Sequence, residues 1–438
     1  MKTYEQFISK EKIQKIHDNS LKILEEVGVI FENEKALRIF KENGAVVEGT
    51  KVKIPHKLVE DCLKLLPRTI PLHSNVYKSL TLGDNHDQII TSVAGNIYIE
   101  DNGIRKTTNE DTIRQFKLSA MSTACTCPFL NAFPDSKNFT KEQKILGNLA
   151  FRLRYADRIT SPSNVVTRGL PEEEADFYTK KGIQLLRDFE GITDKTTSIH
   201  IEGINALSPL AYDREPVNKM FSACDENQPI WVAPCGMPLL TAPPTLAGLL
   251  STTNAEILAG MVLEQLYKPG NGFLMGNASG STDMRYMQLA IGSAETSLIT
   301  YATAGLADLY QVPFRVSGGL CDAKDVDMQA GIESYMMIYA TLNVQPDYVM
   351  HMTGTLGSYN VVSFEKMVLD DEIATMVKRQ LRGVDVNEDL LCFDMVQKVG
   401  PRGTFLIGRT PKEFRSEFPA AKLLNKDDPN NWQNNGAK

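Results

Sequence analysis

The sequence predicts an α/β fold: a (β/α)8 TIM barrel with an N-terminal helical subdomain and a small β-rich insert. Short apolar segments followed by helical stretches occur seven times, at intervals of roughly 30 to 45 residues, which is typical of parallel strands joined by helices. No GxGxxG turn follows any of these segments, which weakens the alternative of an open dinucleotide-binding sheet. A chain of 438 residues could hold one large barrel with additions or two ordinary domains.

Residues 1–78 are predicted to form the helical subdomain. Apolar residues recur near helical spacing in 10–27, and this segment ends at Gly28, a residue type that commonly terminates helices. Segments 33–43 and 52–66 have the same character. The three segments together predict a helical region before the barrel.

Residues 79–106 are predicted to form the β-rich insert or cap, because apolar residues there lie between glycines as in β-hairpins. The barrel is assigned to 107–410 and a polar tail to 411–438. Seven strands are predicted in the barrel: 129–133, 159–166, 197–204, 229–233, 272–276, 313–317 and 347–352. Either 360–364 or part of the insert could supply the eighth.

The segment from Trp231 to Ala255 carries no charged side chain, but four prolines and several polar residues interrupt it. A membrane span needs about 20 predominantly apolar residues without such breaks. The segment therefore predicts a buried strand, a turn at the end of the barrel and the start of a buried helix.

The charge balance excludes several classes of partner. A net charge of −7 and a pI near 5.6 give no basic surface for nucleic acid. The first residues are charged and lack the apolar core of a signal peptide, so export is not expected. We expect a cytoplasmic location and no association with a membrane. The seven cysteines are sparse and scattered, which favours reduced thiols.

The predicted strand ends are poor in catalytic acid and base groups. They read INALSP, APCGMP, MGNASGSTD, RVSGGLCDAK and HMTGTLGS, without HxH, HExxH, GxSxG or phosphate-loop patterns. We therefore expect no metal site and no catalytic acid or base. The alternative is a metal-dependent barrel lyase or hydrolase in which Cys127, His200 or Asp283 binds an ion.

One charged residue stands out within a predicted strand. Arg315 lies in PFRVSGG, where a buried guanidinium is costly without an anionic partner. It is either a member of an internal ion pair, with Glu295 or Asp283, or a binding group for a substrate carboxylate.

Three further residues are candidates for the same end of the barrel. His351 closes the predicted strand DYVMHM, and Asn205 follows HIEGI. Tyr98 lies in the β-rich insert. Each could contact a ligand, and each also has an ordinary structural interpretation: a buried histidine, a turn-stabilising amide and a hairpin aromatic.

Several long segments resemble the trimethylamine methyltransferase superfamily, in its members without pyrrolysine. They are PLLTAPPTLAGLLSTTNAEILAGMVLEQLYKPG, GNASGSTDMR, VPFRVSGGLCDAKDVDMQAG and SFEKMVLDDEIATMVKR. The N-terminal segment LKILEEVGVIFENEKALRIFKENGAVVEG is also similar to that family. The resemblance covers nearly the whole chain.

The resemblance implies a barrel enzyme that demethylates a quaternary amine and passes the methyl group to the Co(I) of a separate corrinoid protein. The chain itself is expected to bind no cofactor, and the methyl acceptor is the partner's cobalamin. Glycine betaine, giving dimethylglycine, is the first expected substrate; trimethylamine, proline betaine and carnitine are alternatives, as is a betaine-binding protein without activity. The partner's binding is expected to be transient, and a homo-oligomer is compatible with a barrel of this size.

The chemistry implied by the resemblance fits the lack of acids and bases. Loss of a methyl group from a quaternary ammonium leaves a neutral tertiary amine, so no general acid is needed. The cation is expected to lie against aromatic faces, from Tyr98 and Tyr359 and, with lower weight, Trp231. A betaine carboxylate would bind Arg315, with His351 and Asn205.

Overall fold

A parallel sheet of six strands forms the centre of the protein. The computed structural model describes residues 2–84, 87–156, 165–406 and 411–436. We number the strands of this sheet along the chain: β1 (Ile89–Ile90), β2 (Glu202–Asn205), β3 (Ile230–Ala233), β4 (Phe273–Gly276), β5 (Phe314–Ser317) and β6 (Tyr348–Met350). Their order is β1-β6-β5-β4-β3-β2, so that each strand from β2 to β6 lies beside the next and β1 lies beside β6. The protein is therefore a mixed α/β fold built on a curled parallel sheet, with five of the predicted strands in it.

The predictions for the remaining barrel strands need correction. Residues 129–133 are not in a strand, and the Asn131 side chain there bonds to Gly95, Asn96 and Gln115. Residues 159–164 of the predicted strand 159–166 lie outside the described residues. The prediction of a barrel strand at 360–364 was wrong: Val361–Ser363 pairs with Tyr98–Glu100 in a second sheet. Part of the predicted insert, β1, joins the central sheet instead.

The two faces of the central sheet pack against different partners. One face packs against helices, and the buried cluster there includes Val232 and Met275. The opposite face encloses a second cluster that contains Trp231, Leu274 and Tyr348. The alternation along each strand therefore directs every other side chain into the curl of the sheet.

Eight helices follow or flank the central strands. They are α4 (Asn109–Met121), α5 (Lys141–Tyr155), α6 (Glu172–Glu190), α7 (Arg214–Asp225), α8 (Leu246–Tyr267), α9 (Ala294–Tyr310), α10 (Met328–Val344) and α11 (Phe364–Arg382). Six of them are preceded by a side chain that accepts a hydrogen bond from the first turn, as in α8, where Thr245 accepts from the N–H of Gly248, and α9, where Ser293 accepts from the N–H of Thr296. In the other four this cap is Thr108 before α4, Thr140 before α5, Asp327 before α10 and Ser363 before α11.

The charge-free segment forms β3, a turn and the start of α8, as predicted. The helix α8 is long and apolar enough to cross a membrane, with a mean hydropathy of 1.4, but 83% of that apolar window is buried within the protein. Its apolar composition is accounted for by packing against β3, β4 and the N-terminal helices.

The N-terminal region contains the predicted helices and also strands. The helices are α1 (Lys10–Lys22), which continues as a wider turn over Ile23–Val27, α2 (Glu34–Glu42) and α3 (His56–Leu63). Between them lie Val29–Phe31, Val46–Glu48 and Lys51–Lys53, which form a sheet with Ala211–Tyr212 of the central region. The prediction missed these strands because each is only three residues long.

The remaining strands make a hairpin and a second sheet. Ile70–Leu72 pairs with Leu80–Leu82, and the buried residues of this hairpin join the cluster inside the central sheet. The second sheet contains Tyr98–Glu100, Ile104–Lys106, Thr355–Leu356 and Val361–Ser363.

The C-terminal region after α11 contains three short helices: α12 (Phe393–Val399), α13 (Lys412–Glu417) and α14 (Pro429–Asn434). The helix α13 is fixed to α11 by ion pairs from Glu417 to Arg379 and Arg382. The predicted polar tail 411–438 therefore includes helical structure within its described residues.

Candidate active site

The candidate site is centred on Arg315, in β5 at the carboxyl end of the central sheet. The side chain is 3% exposed. Its Nη1 donates to the carbonyl oxygen of Asn277 at 3.2 Å, and its Nη2 lies 3.0 Å from the sulfur of Met350. Its Nε has no hydrogen-bond partner in the described part of the chain. A guanidinium has five N–H donors, so these contacts satisfy only part of its capacity.

Arg315 has no carboxylate partner among the described residues. Asp283, one of the two predicted partners, is paired with Arg285 instead, and Glu295 is not paired with Arg315. Burial lowers the pKa of Arg315, and the nearby tyrosine hydroxyls of Tyr359 and Tyr348 only partly oppose that effect. The ion-pair interpretation of Arg315 is therefore not supported, and the guanidinium is a buried cation with donors to spare.

Trp231 provides an aromatic face for Arg315. The guanidinium carbon lies 5.2 Å from the centre of the indole ring, in the range of a cation–π contact. The indole fits only because residue 203 is glycine, since a Cβ there would lie 2.3 Å from Cζ2 of Trp231. Among the residues that the structure describes, the indole Nε1 has no hydrogen-bond partner, and neither does the hydroxyl of Tyr348 on the strand next to Arg315. Unpaired donors are thus concentrated around this guanidinium.

His351 and Tyr359 form a second pair beside Arg315. Their ring centres are 4.7 Å apart. Both rings interact electrostatically with Arg315. Burial raises the pKa of Tyr359 to about 12, so its hydroxyl stays protonated at neutral pH.

The protonation state of His351 follows from its surroundings. Burial, together with the charge of Arg315, lowers the pKa of His351 to about 3. The backbone N–H of Ala94 donates to Nδ1 at 3.1 Å, so the single ring proton of the neutral imidazole lies on Nε2. His351 therefore provides a neutral N–H donor.

This pKa predicts how stability depends on pH. In the unfolded chain the imidazole has a pKa near 6.5, so it is protonated below that pH. In the folded protein the same imidazole stays neutral until the pH falls to about 3. The contribution of His351 to the free energy of unfolding therefore falls as pH drops below 6.5, by about 2 kcal/mol at pH 5. We expect His351→Asn to remove this loss, because the asparagine Oδ1 can take the place of Nδ1 and asparagine tolerates the backbone φ of 58° at this position.

The measurement is urea unfolding of both proteins at pH 7.5 and pH 5. His17 and His200 also have lowered pKa values, but they are present in both proteins and cancel in the difference. An equal loss of stability in wild type and variant would show that His351 is not the titrating group.

The other two predicted site residues are placed differently. Asn205 ends β2 beside Ala233 of β3 and is exposed, so it lies at the same end of the sheet as Arg315. Tyr98 lies in the second sheet, where it packs against the cluster that contains Cys321 and Leu356. The role of Tyr98 in binding a cation stays a prediction.

The structure adds residues that sequence reasoning missed. The carbonyl of Asn277 and the sulfur of Met350 contact Arg315, and Cys235, which follows β3, interacts electrostatically with it. Met350 could have been found from strand register, because Ser317 pairs with it across β5 and β6. The contact through the Asn277 backbone leaves no signal in the sequence.

The proposed metal ligands do not form a site. Over residues 2–84, 87–156, 165–406 and 411–436, no three His, Cys, Asp or Glu side chains form a group that could hold a metal ion. Cys127 lies in the buried cluster inside the sheet, and Asp283 is engaged by Arg285. The residues named for the metal-dependent alternative are therefore not arranged for it.

Comparison with known proteins places the chain among methyltransferases. The family model described as trimethylamine methyltransferase (MTTB) matches residues 2–438. A proline betaine:corrinoid methyltransferase of Eubacterium limosum is 35% identical over 97% of this chain and 88% of its own length. The glycine betaine methyltransferase of Desulfitobacterium hafniense is 34% identical, with coverages of 97% and 88%. An L-carnitine:corrinoid methyltransferase of Eubacterium limosum is 32% identical, with coverages of 96% and 87%.

Proposed function

The chain belongs to the trimethylamine methyltransferase family, and we propose that it demethylates a quaternary amine that carries a carboxylate and transfers the methyl group to the Co(I) of a separate corrinoid protein. Glycine betaine is the first expected substrate, with dimethylglycine as the product. Proline betaine and carnitine share the same two charged groups. The curated relatives named above act, by their names, on these three compounds.

The observation that carries the proposal is the buried Arg315 without a carboxylate partner among the described residues. A buried cation with free donors stabilises the protein poorly unless an anion completes its contacts. A substrate carboxylate can accept two of its N–H groups at once. Trimethylamine has no such group, so this arrangement favours a betaine.

The other end of the substrate is a quaternary ammonium, which cannot form hydrogen bonds and is held by aromatic faces. Tyr359 and Trp231 are aromatic side chains that interact with Arg315. We propose that they bind the cation and that the Nε2–H of His351 donates a hydrogen bond to the substrate. The positive Arg315 lies at the carboxylate end and so opposes binding of the substrate in the reverse orientation.

The reaction needs positioning more than proton transfer. The carbon–nitrogen bond breaks with its electron pair going to nitrogen, while the electron pair of Co(I) forms the bond to the methyl carbon. The amine leaves as a neutral tertiary amine, so no proton has to be supplied. The chain's residues bind the amine and hold one methyl group toward the acceptor.

We also propose that the central sheet closes into a complete (β/α)8 barrel. Backbone N–H groups of Thr126 and Cys127 donate to the carbonyl of Ile90 in β1, which brings the segment before 129–133 alongside that strand. Cys127 also packs inside the sheet. The segment around Cys127 would then continue the sheet beyond β1.

The corrinoid protein is proposed to dock at the carboxyl end of the sheet, where the site lies. Leu239, Met284, Tyr286 and Met287 follow β3 and β4 at that end and have exposed side chains. Exposed large apolar residues beside a binding site are typical of a protein contact surface. Such a surface suits the transient partner that the reaction requires.

A substrate panel tests the proposal. Purified protein is incubated with cob(I)alamin and, in turn, with glycine betaine, proline betaine, carnitine and trimethylamine, and methylcobalamin is followed by its absorbance. We expect turnover with at least one carboxylate-bearing amine and little with trimethylamine. Tight betaine binding without turnover would instead identify a binding protein, and turnover of trimethylamine alone would contradict the role given to Arg315.

A further inference from the structure

Asp322 joins three loops at the carboxyl end of the sheet. It lies in the loop after β5, and its carboxylate accepts the backbone N–H groups of Ile291 at 3.1 Å and Gly292 at 2.8 Å. It also accepts the hydroxyl of Ser358. Ile291 and Gly292 follow the ribbon formed by Ser281–Asp283 and Gln288–Ala290. One side chain therefore connects this ribbon, its own loop and the loop that carries Tyr359.

The loop that carries Tyr359 needs such support because its backbone is strained. Gly357, Ser358 and Tyr359 have φ values of 52°, 52° and 74°, so three consecutive residues are left-handed. Only glycine adopts this region freely, and non-glycine residues persist there only when the surroundings hold them. A bulky aromatic such as Tyr359 at a φ of 74° is therefore held in place by its neighbours.

The contacts that hold this loop come from the segment around Asp322. The N–H of Gly357 donates to the carbonyl of Ala323 at 2.9 Å, and the N–H of Ser358 donates to the carbonyl of Cys321 at 3.1 Å. The Ser358 hydroxyl adds the bond to the Asp322 carboxylate. The residue next to Tyr359 is thus fixed from both its backbone and its side chain.

Glu333 supports the position of Asp322 in turn. Its Oε2 accepts the backbone N–H of Asp322 at 2.7 Å. Its Oε1 accepts a bond from Gln329 at 2.7 Å, so the carboxylate of Glu333 is itself held on α10. These bonds of Asp322, which we call the Asp322 clamp, are therefore supported by α10 as well as by the loops.

We propose that Asp322 is a positioning residue for substrate binding, which acts by holding the strained segment 357–359 so that Tyr359 lies against His351 beside Arg315. This inference rests on the proposed function for its effect on catalysis, but the position of the loop can be tested without substrate. Asp322 touches neither Arg315 nor His351 through any bond the structure gives it, so its effect is transmitted by Tyr359.

The catalytic test is a double-mutant cycle between Asp322→Asn and Tyr359→Ala. In the wild-type background we expect Asp322→Asn to reduce kcat/KM for glycine betaine about tenfold, mainly through KM, because a charge-assisted bond is lost. In the Tyr359→Ala background we expect no further loss. Equal losses in both backgrounds would contradict the proposal, because Asp322 would then act by another route.

The structural test is amide hydrogen exchange over residues 355–362 in the absence of substrate. We expect faster exchange in Asp322→Asn and in the milder Ser358→Ala, which removes only the hydroxyl link. Asp325→Asn is the matched control, because this exposed carboxylate of the same loop bonds, among the described residues, only to the N–H of Val326. Unchanged exchange in both Asp322→Asn and Ser358→Ala would overturn the proposal. If exchange becomes faster in these variants but the wild-type protein turns over no amine, the Asp322 clamp is supported and the proposed function is refuted.

Discussion

Replacing Arg315 with alanine is expected to reduce kcat/KM for glycine betaine roughly 10- to 100-fold, equivalent to about 1.5 to 3 kcal/mol of lost binding. The guanidinium is buried, and the carbonyl of Asn277 and the sulfur of Met350 engage only two of its donors. The remaining donors are the ones that a carboxylate would take. The measurement is steady-state kinetics by methylcobalamin absorbance.

The same variant discriminates the role of the charge from that of the fold. For a substrate without a carboxylate, such as tetramethylammonium, kcat/KM should fall little or even rise in the Arg315→Ala protein, because the substitution removes a cation that repels the substrate. Arg285→Ala is the matched control, since this arginine at the same end of the sheet is exposed and forms an ion pair with Asp283. Equal affinity for glycine betaine in wild type and Arg315→Ala would show that Arg315 does not bind the substrate carboxylate and has a structural role.

Replacing Trp231 with alanine is expected to lower the free energy of unfolding by about 3 to 5 kcal/mol, as for other large aromatic residues removed from a core. The indole is 6% exposed and packs in the cluster inside the sheet, over Gly203. Its removal also takes away the aromatic face of Arg315. We therefore expect weaker betaine binding in addition to the loss of stability, measured by urea unfolding and by ligand titration.

The chain offers a matched control for this prediction. Its other tryptophan, Trp432, lies in α14 and is 42% exposed. Trp432→Ala should change the free energy of unfolding by less than about 1 kcal/mol, as is usual for surface sites. An unchanged unfolding midpoint in Trp231→Ala would mean that the indole does not fill the interior of the sheet.

The sequence predicted the repeating part of the fold because the repeat is a local pattern. The strands β3, β4 and β6 are short apolar segments, whereas β2 and β5 also carry polar residues. Each of the five precedes a helix, and this periodicity is visible in a single sequence. The strand β1 is only two residues long and lies within the segment assigned to the β-rich insert, so the sequence pattern did not assign it to the central sheet. Segment 360–364 has the composition of a strand, but its pairing with Tyr98–Glu100 joins parts of the chain that are far apart in the sequence.

The candidate site was predicted in part for a similar reason. Arg315 could be found because a charge inside an apolar strand is rare and costly. Trp231, His351 and Tyr359 were named from residue type and position, and the structure brings them to Arg315. Asp322 gave no such signal, because an aspartate in a polar loop is ordinary and its role depends on bonds to residues about 30 positions away along the chain on either side.

The most direct measurement of the central claim is a single-turnover reaction with glycine betaine labelled with carbon-13 in its methyl groups. Protein, labelled betaine and cob(I)alamin are mixed without other methyl donors, and the products are followed by NMR. The proposed function predicts equal amounts of labelled methylcobalamin and dimethylglycine. Unchanged betaine, or demethylated product without labelled methylcobalamin, would contradict it.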